Sequence, residues 1–293
     1  MRRGLRIAAV LIWVAGVGPP SLDPDTARRS FLELFNQERA AAGLAPLRSD
    51  SALNRVAQES AEQLRESRGA PFEDASFREI RLRLARAGYE AHGWSQSFAV
   101  SPGDVGEVFS WWKTANADDY VRMLDGDYQE IGIGVSELDG TPLYTFLLGW
   151  RESEFFARQT AGLKDLGKVR EAMLARVNAE RAVAGVPPFG LHPLLNSAAQ
   201  GHAEDMLNRS YYRHESPEGA TPRNRAEAQG YTAEMVGENI SRGPLSVDEV
   251  VDGWMRSTEH RRNLLHPRFT ELGIGLAVGN RTALWVQSFG RPR

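Results

Sequence analysis

Asn36-Gln37-Glu38-Arg39-Ala40, followed by Ala42-Gly43, returns as Asn178-Ala179-Glu180-Arg181-Ala182, followed by Ala184-Gly185, at an offset of 142 residues. The same offset pairs Pro46 with Pro188, Leu53-Asn54 with Leu195-Asn196, Ala57-Gln58 with Ala199-Gln200, Gly88-Tyr89 with Gly230-Tyr231 and Trp112 with Trp254. One deletion shifts the offset to 141, where Ile131-Gly132-Ile133-Gly134 falls under Leu272-Gly273-Ile274-Gly275. Ordered matches over this span mean two copies of one fold, so whatever suits one half has to suit the other. A chain of 293 residues accommodates two domains of about 140 residues, each able to bury its own core. The copies fall at 27–150 and 165–291, joined near 151–168.

Each copy opens with helical periodicity. In the second, Val169, Met173 and Val177 recur every four residues before Gly185 and Pro187-Pro188 stop the pattern. A helix is predicted from Pro193 to Asn208, a short one from Thr221-Pro222 to Gly230, and one capped by Ser246 that runs through Val250, Val251 and Trp254. The period then changes to two: Leu272, Ile274, Leu276 and Val278 alternate with smaller residues, Gly279-Asn280 turns, and 284–289 returns as a partner strand. Asp139-Gly140 plays the turn role in the first copy. Helices followed by an antiparallel hairpin describe an α+β unit with helices packed on a small sheet.

Arg2, Arg3 and Arg6 precede or flank an apolar run from Ile7 to Val17 that closes at Gly18 and Pro19-Pro20, which reads as a secretory signal peptide over 1–20. An uncleaved anchor is the alternative. The run is shorter than the roughly 20 apolar residues of a membrane-spanning helix, and no later segment is better, so no integral span is expected after signal removal. The expected location is secreted, periplasmic or at the cell surface. The chain has no cysteine, which excludes disulfides, a thiol nucleophile, a Cys-ligated metal and a lipidated N-terminal cysteine. A formal charge of −3 argues against a sequence-blind nucleic-acid binder.

The groups of the second copy able to bind metal or move protons lie in three segments: Tyr211-Tyr212-Arg213-His214-Glu215-Ser216, Val236-Gly237-Glu238-Asn239-Ile240, and the run from Trp254 through Ser257, Glu259 and His260 to Asn263. In order and spacing they resemble the CAP superfamily (cysteine-rich secretory proteins, antigen 5, plant pathogenesis-related-1), in its bacterial SCP-like extracellular form. The resemblance covers 166–289, and 31–150 looks like a degenerate second unit. It implies two tandem α-β-α sandwich (CAP-like) domains. In that family two histidines and two acids line a central cleft, and the histidines often hold a divalent metal. The match carries His214 over as the first histidine, Glu238 as the first acid and His260 as the second histidine. The fourth position falls at Ser257, so one carboxylate of the tetrad is missing.

Two neutral imidazoles suit zinc, copper or nickel, and a nearby carboxylate can ligate, orient a ring or take a proton. The expected metal set is His214, His260 and Glu238, with a divalent ion, zinc or calcium, as cofactor; the alternative is a pair of histidines that only hydrogen-bond in a polar cleft. Two functions follow. One is an exported protein binding a small-molecule, lipid, peptide or glycan ligand in this cleft. The other is a metal-dependent hydrolase of peptide or cell-envelope material with Glu238 as base. Ser257 beside His260 is a candidate nucleophile without an oriented acid. Asn239 is expected to be a structural hydrogen-bonder.

The remaining histidines read as structural: His192 exposed before a helix, His202 satisfied on a helix face, His266 at a helix end, His92 without a partner. Arg213, Arg223, Arg225, Arg261 and Arg262 either rim an anion-binding cleft or tie loops together. Under the repeat offset His214 maps to Phe72, Glu238 to Gln96, and His260 to Asp118 or Asp119. Both imidazoles are gone, so the first copy is expected to be a scaffold, or to bind a protein partner through Phe109, Trp111 and Trp112, unless these are core.

Overall fold

The computed structural model describes residues 23–68 and 75–293; the signal segment over 1–20 and Phe72 lie outside the described residues. The chain divides into two compact units, Met1–Phe155 and Phe156–Arg293. In the first, α1 (Pro24–Ala41), β1 (Arg48–Ser49), α2 (Ser51–Glu66), α3 (Ala75–Arg86), β2 (Ala91–Val100), α4 (Val105–Ala115), α5 (Ala117–Met123), β3 (Glu130–Leu138) and β4 (Thr141–Arg151) follow in order. The connecting helix α6 (Glu152–Gln159) comes next. The second unit repeats the series: α7 (Leu166–Val183), β5 (Gly190–Leu191), α8 (Pro193–Asn208), α9 (Pro222–Ala228), β6 (Ala233–Arg242), α10 (Val247–Arg256), α11 (Thr258–Leu264), β7 (Glu271–Gly279) and β8 (Thr282–Pro292).

Each unit builds one four-stranded sheet, in the orders β1-β3-β4-β2 and β5-β7-β8-β6. The expected hairpins are present, β7 pairing with β8 from Glu271↔Gly290 to Gly279↔Thr282, with Asn280 at positive φ in the turn. The sheets also contain a long edge strand absent from the sequence reading: β2 pairs antiparallel with β4, and β6 with β8. The registers agree, since Gln96 lies opposite Leu147 and Glu238 opposite Ser288.

The repeated motifs explain themselves as framework. Asn178 Nδ2 donates to the Phe189 carbonyl at 3.0 Å and its Oδ1 accepts from Phe189 N at 2.8 Å; Asn36 holds Leu47 the same way at 3.0 and 2.7 Å. Arg181 is fully buried, with no acid paired to it among the described residues, and donates to the carbonyls of Pro187, Leu264, His266 and Phe269 at 2.7 to 3.2 Å. Arg39 does the same for Ala45, Met123, Asp125 and Tyr128. A guanidinium has five donors and can close a loop this way, whereas a buried charge left unbonded is expensive. Burial pushes the Arg181 pKa down to about 10.

Beyond its short parallel contact with β5, the outer edge of β7 is paired by side chains. Asn196 Oδ1 accepts from Ile274 N at 2.8 Å, and Gln200 bonds both Leu276 N and Leu276 O. Asn54 and Gln58 satisfy β3 identically. These amides reach the strand because α8 rides directly on glycine. A Cβ at Gly273 would stand 2.1 Å from the Leu195 carbonyl carbon, and one at Gly275 would stand 2.2 Å from that of Ala199. The helix therefore covers an edge that would otherwise present free backbone groups.

On the other face α7 and α10 bury Met173, Val177, Val251 and Trp254 against Leu272, Ile274 and Trp285. In the first unit Phe31 and Phe35 pack edge-to-face with Phe146, and Phe109 and Trp112 edge-to-face with Phe35. Fully burying such side chains is worth roughly 1.5 to 3 kcal/mol each. Of the two expectations for this aromatic run the core one holds: Phe109 and Trp112 are core and Trp111 packs on that core.

Candidate functional site

The second unit's chemistry gathers around edge strand β6. Glu238 points toward α8 and α9 with its side chain 2 % exposed, while the His214 side chain in front of it is 51 % exposed. His214 Nδ1 lies 2.8 Å from Glu238 Oε1, and Arg225 Nη2 donates to Glu238 Oε2 at 2.6 Å. Arg225 is itself anchored on the Ala220 carbonyl at 2.7 Å, just before the capping box in which Thr221 and Asn224 start α9. Both carboxylate oxygens are thus occupied. With Nδ1–H donating to the carboxylate, the imidazole presents its Nε2 lone pair outward.

Next to Glu238, Asn239 has no exposed surface and points to the opposite face of the sheet. Its Nδ2 donates to the His260 carbonyl at 3.1 Å, while Asn263 Nδ2 donates to the Glu238 carbonyl at 3.1 Å and to Asn239 Oδ1 at 2.9 Å. Trp254 Nε1 donates to the Ile240 carbonyl at 3.1 Å. Arg181 holds the far end of α11 at Leu264. The spacing of the third motif follows from this: α10 stops at Ser257, whose extended backbone starts α11, and α11 then brings the His260 carbonyl to Asn239 of β6. The His260 pKa is lowered from its ordinary 6.5 first by burial and then by the charge of His214.

Among the described residues, no three His, Asp or Glu side chains are grouped to hold one ion. His214 and Glu238 meet directly, and His260 is tied to them only by the charge of His214 that lowers its pKa. Ser257 is half-buried and gives α11 no side-chain cap, and no hydrogen bond joins it to His260 among the described residues.

Two further side chains belong to the site. His202, buried in α8, donates from Nε2 to the Arg213 carbonyl at 3.0 Å, fixing the segment before His214, and stands 3.9 Å from Glu238 Oε1. Burial lowers its pKa. Its signal was a ring set among Ala198, Ala199 and Ala203 on a helix face. Arg225 carried no local signal, because its partner is 13 residues away on another element.

Two histidines depart from expectation. His192 is half-buried, its ring edge-on to Tyr231 at 4.9 Å, because it is the residue from which α8 springs. His92 has partners: Glu152 at 3.1 Å and the stacked ring of Phe155 at 3.7 Å. His266 accepts from Arg268 N at 3.2 Å. Arg223 ties loops through the carbonyls of Ala233 and Glu234. Arg213 sits over the Tyr211 ring at 5.6 Å. Arg261 and Arg262 occupy another face of α11 from His260, in an open groove of about 530 Å³ with Arg256 and Leu265.

The profile of the cysteine-rich secretory protein family (CAP) matches residues 32–148 and again 174–289. The uncharacterized protein YkwD of Bacillus subtilis (strain 168) is 31 % identical over 130 residues, covering 44 % of this chain and 50 % of the relative. The uncharacterized membrane protein YlbC of the same strain is 35 % identical over 78 residues, 27 % of this chain and 22 % of its own length. The chain thus spans half or less of the curated relatives it matches. Among solved structures, an extracellular protein containing a SCP domain from Bacillus anthracis is similar at 24 % identity and a TM-score of 0.41, over 51 % of this chain and 53 % of that one. An outer surface protein from Borrelia burgdorferi is similar at 17 % identity and a TM-score of 0.42, over 44 % of this chain and 96 % of that one. Among the described residues, no helix is long and apolar enough to cross a membrane.

Proposed function

Since the chain belongs to the cysteine-rich secretory protein (CAP) family in both of its units, we propose that it is an exported or envelope-associated ligand-binding protein whose second unit carries the working cleft. The observation that carries this reading is the contrast at His214: a half-exposed imidazole fixed through Nδ1 by a buried carboxylate that Arg225 locks in turn. A ring tied down this way is presented for use, since a histidine serving only the fold would bury its polar atoms in mutual bonds.

The donor set fits a borderline cation of the zinc class, with His214 Nε2 and His260 as ligands. It does not suit calcium, which takes six to eight oxygens, because both oxygens of Glu238 are already engaged. Glu238 acts here as the group that orients and polarises His214, a positioning role in place of the ligand or base role read from the sequence. A bound cation of this class would supply a Lewis-acid anchor for an anionic or carbonyl group of the ligand. Without it, the outward His214 Nε2 accepts a ligand proton or hydrogen bond, and His260, its pKa lowered, favours its neutral form.

Calorimetric titration of the metal-free mature chain with zinc tests this. Binding is expected to disappear in both His214→Ala and His260→Ala, and calcium is expected to give no heat from the cleft. Zinc binding unchanged in both variants would remove the cleft from the account.

A further inference from the structure

We propose that the groove between the end of α10 and the outer face of α11 is a docking site for an acidic peptide segment of a partner protein, one that carries an apolar side chain among its carboxylates. The groove has a volume of about 530 Å³ and is lined by Arg256, Arg261, Arg262 and His266, with Met255 and Leu265 among its apolar residues. It opens on another face of α11 from His260, apart from the cleft.

The chain carries a formal charge of −3, yet these three guanidiniums share one groove. Among the described residues none of them has an ion pair or hydrogen bond, and Glu259, exposed on the same helix, pairs with none of them. Arg209, Arg225 and Arg268 of the same unit, by contrast, each hold a carboxylate. Gathering like charges costs Coulomb energy that an anion in the groove removes. His266 adds a donor. Its Nδ1 accepts from Arg268 N at 3.2 Å, which leaves the proton of the neutral ring on Nε2, and Arg181 fixes its carbonyl at 3.2 Å.

The fold does not require this set. Arg39 bonds the Met123 carbonyl where Arg181 bonds that of Leu264. At that offset of 141, Arg261, Arg262 and His266 fall on Tyr120, Val121 and Asp125, and at the offset of 142 that pairs the tryptophans Arg256 falls on Thr114. The first unit keeps both helices and has no cation at the four places.

Charge and floor together choose the occupant. Arginine forks match carboxylates and phosphates two bonds at a time. Met255 and Leu265 are half-buried and packed on the core, so they present a fixed apolar floor. Arginine and methionine are both enriched where proteins meet, and methionine adapts to the side chain it receives. A phosphate polymer would satisfy the guanidiniums and leave the floor wet. A flat anionic membrane would reach the guanidiniums without entering the groove. An acidic segment with a leucine covers both charge and floor.

The test is amide NMR on the full ¹⁵N-labelled chain, following the backbone signals of Arg256 and His266. The probes are the acetylated, amidated peptide Asp-Glu-Leu-Leu-Glu-Asp and its charge-matched counterpart Asp-Glu-Gly-Gly-Glu-Asp, with tripolyphosphate and phosphatidylglycerol vesicles alongside. A saturable shift is expected with the leucine peptide below about 1 mM. Its affinity is expected to fall about tenfold or more in the double variant Arg261→Gln, Arg262→Gln, and to be about tenfold weaker or more for the glycine peptide. Arg256→Gln, followed at His266, serves equally if the double variant does not fold. Silence with the leucine peptide, equal binding of the two peptides, or binding indifferent to the arginines would overturn the proposal. A response to tripolyphosphate or to the vesicles without one to the leucine peptide would overturn it as well, in favour of a phosphate site or a membrane-facing surface.

Discussion

The two units share strand order, register, the buried arginine and the amide-paired sheet edge, yet treat the same rim in opposite ways. In the second, Glu238, Asn239, Trp254 and Asn263 are all hydrogen-bonded, and what remains exposed is the His214 ring. In the first, Gln96, Trp112, Asn116 and Asp119 hold buried atoms with no hydrogen-bond partner among the described residues. Trp112 and Trp254 are equally buried, but only Trp254 finds a carbonyl. The difference teaches that the duplicated motifs divide into two sets. Asn36/Asn178, Arg39/Arg181 and the strand glycines build the frame in both copies; the rim residues are free to change because the frame does not depend on them.

The largest expected contrast concerns the arginine behind the carboxylate. Arg225→Met strands the buried Glu238 and is expected to cost about 3 to 5 kcal/mol in chemical denaturation, whereas Arg83→Met, whose residue bonds Glu79 and Gln63 near the surface, costs under about 1 kcal/mol. Equal losses would break the contrast between the two units. In metal titrations, Glu238→Gln is expected to weaken zinc about 10- to 100-fold through misorientation of His214, while Gln96→Glu creates no zinc site in the first unit. The same affinity before and after Glu238→Gln would deny the carboxylate its positioning role.

A smaller effect separates the tryptophans. Both Phe replacements lose the same ring volume, but Trp254→Phe also strands the Ile240 carbonyl, so it should be more destabilising than Trp112→Phe by about 1 to 2 kcal/mol. The smallest is a pH effect. Burial raises Asp119 from 3.8 to about 6 against the opposing pull of Arg122. Its contribution to stability is therefore full below the unfolded value of 3.8 and is lost as pH rises through about 6. Asp119→Asn should leave the melting temperature unchanged at pH 4 and raise it at pH 7, by an amount equivalent to about 2 kcal/mol. A variant that melts lower at both values would show that the carboxylate is paid for by bonds not seen in the fold.

Much of this was legible in the chain itself. The duplication, the helices at Pro193–Asn208 and Pro222–Ala228, the closing hairpin and the three rim motifs all rest on local spacing that folding preserves. Strand β6 escaped because Glu238 and Asn239 are adjacent and both turn inward to polar partners, one on each face, which hides the alternation of a half-buried strand. The role of Arg181 escaped for another reason: its partners are carbonyls, which every residue has, some of them more than 80 positions away.

The central claim is that Glu238 holds the proton on His214 Nδ1 and leaves Nε2 open to the cleft. Nitrogen-15 NMR of the uncharged imidazole in the metal-free full chain reads this directly. The account predicts a protonated Nδ1 and an unprotonated Nε2, with that preference weakened in Glu238→Gln. A ring protonated on Nε2, or one indifferent to Glu238→Gln, would contradict it.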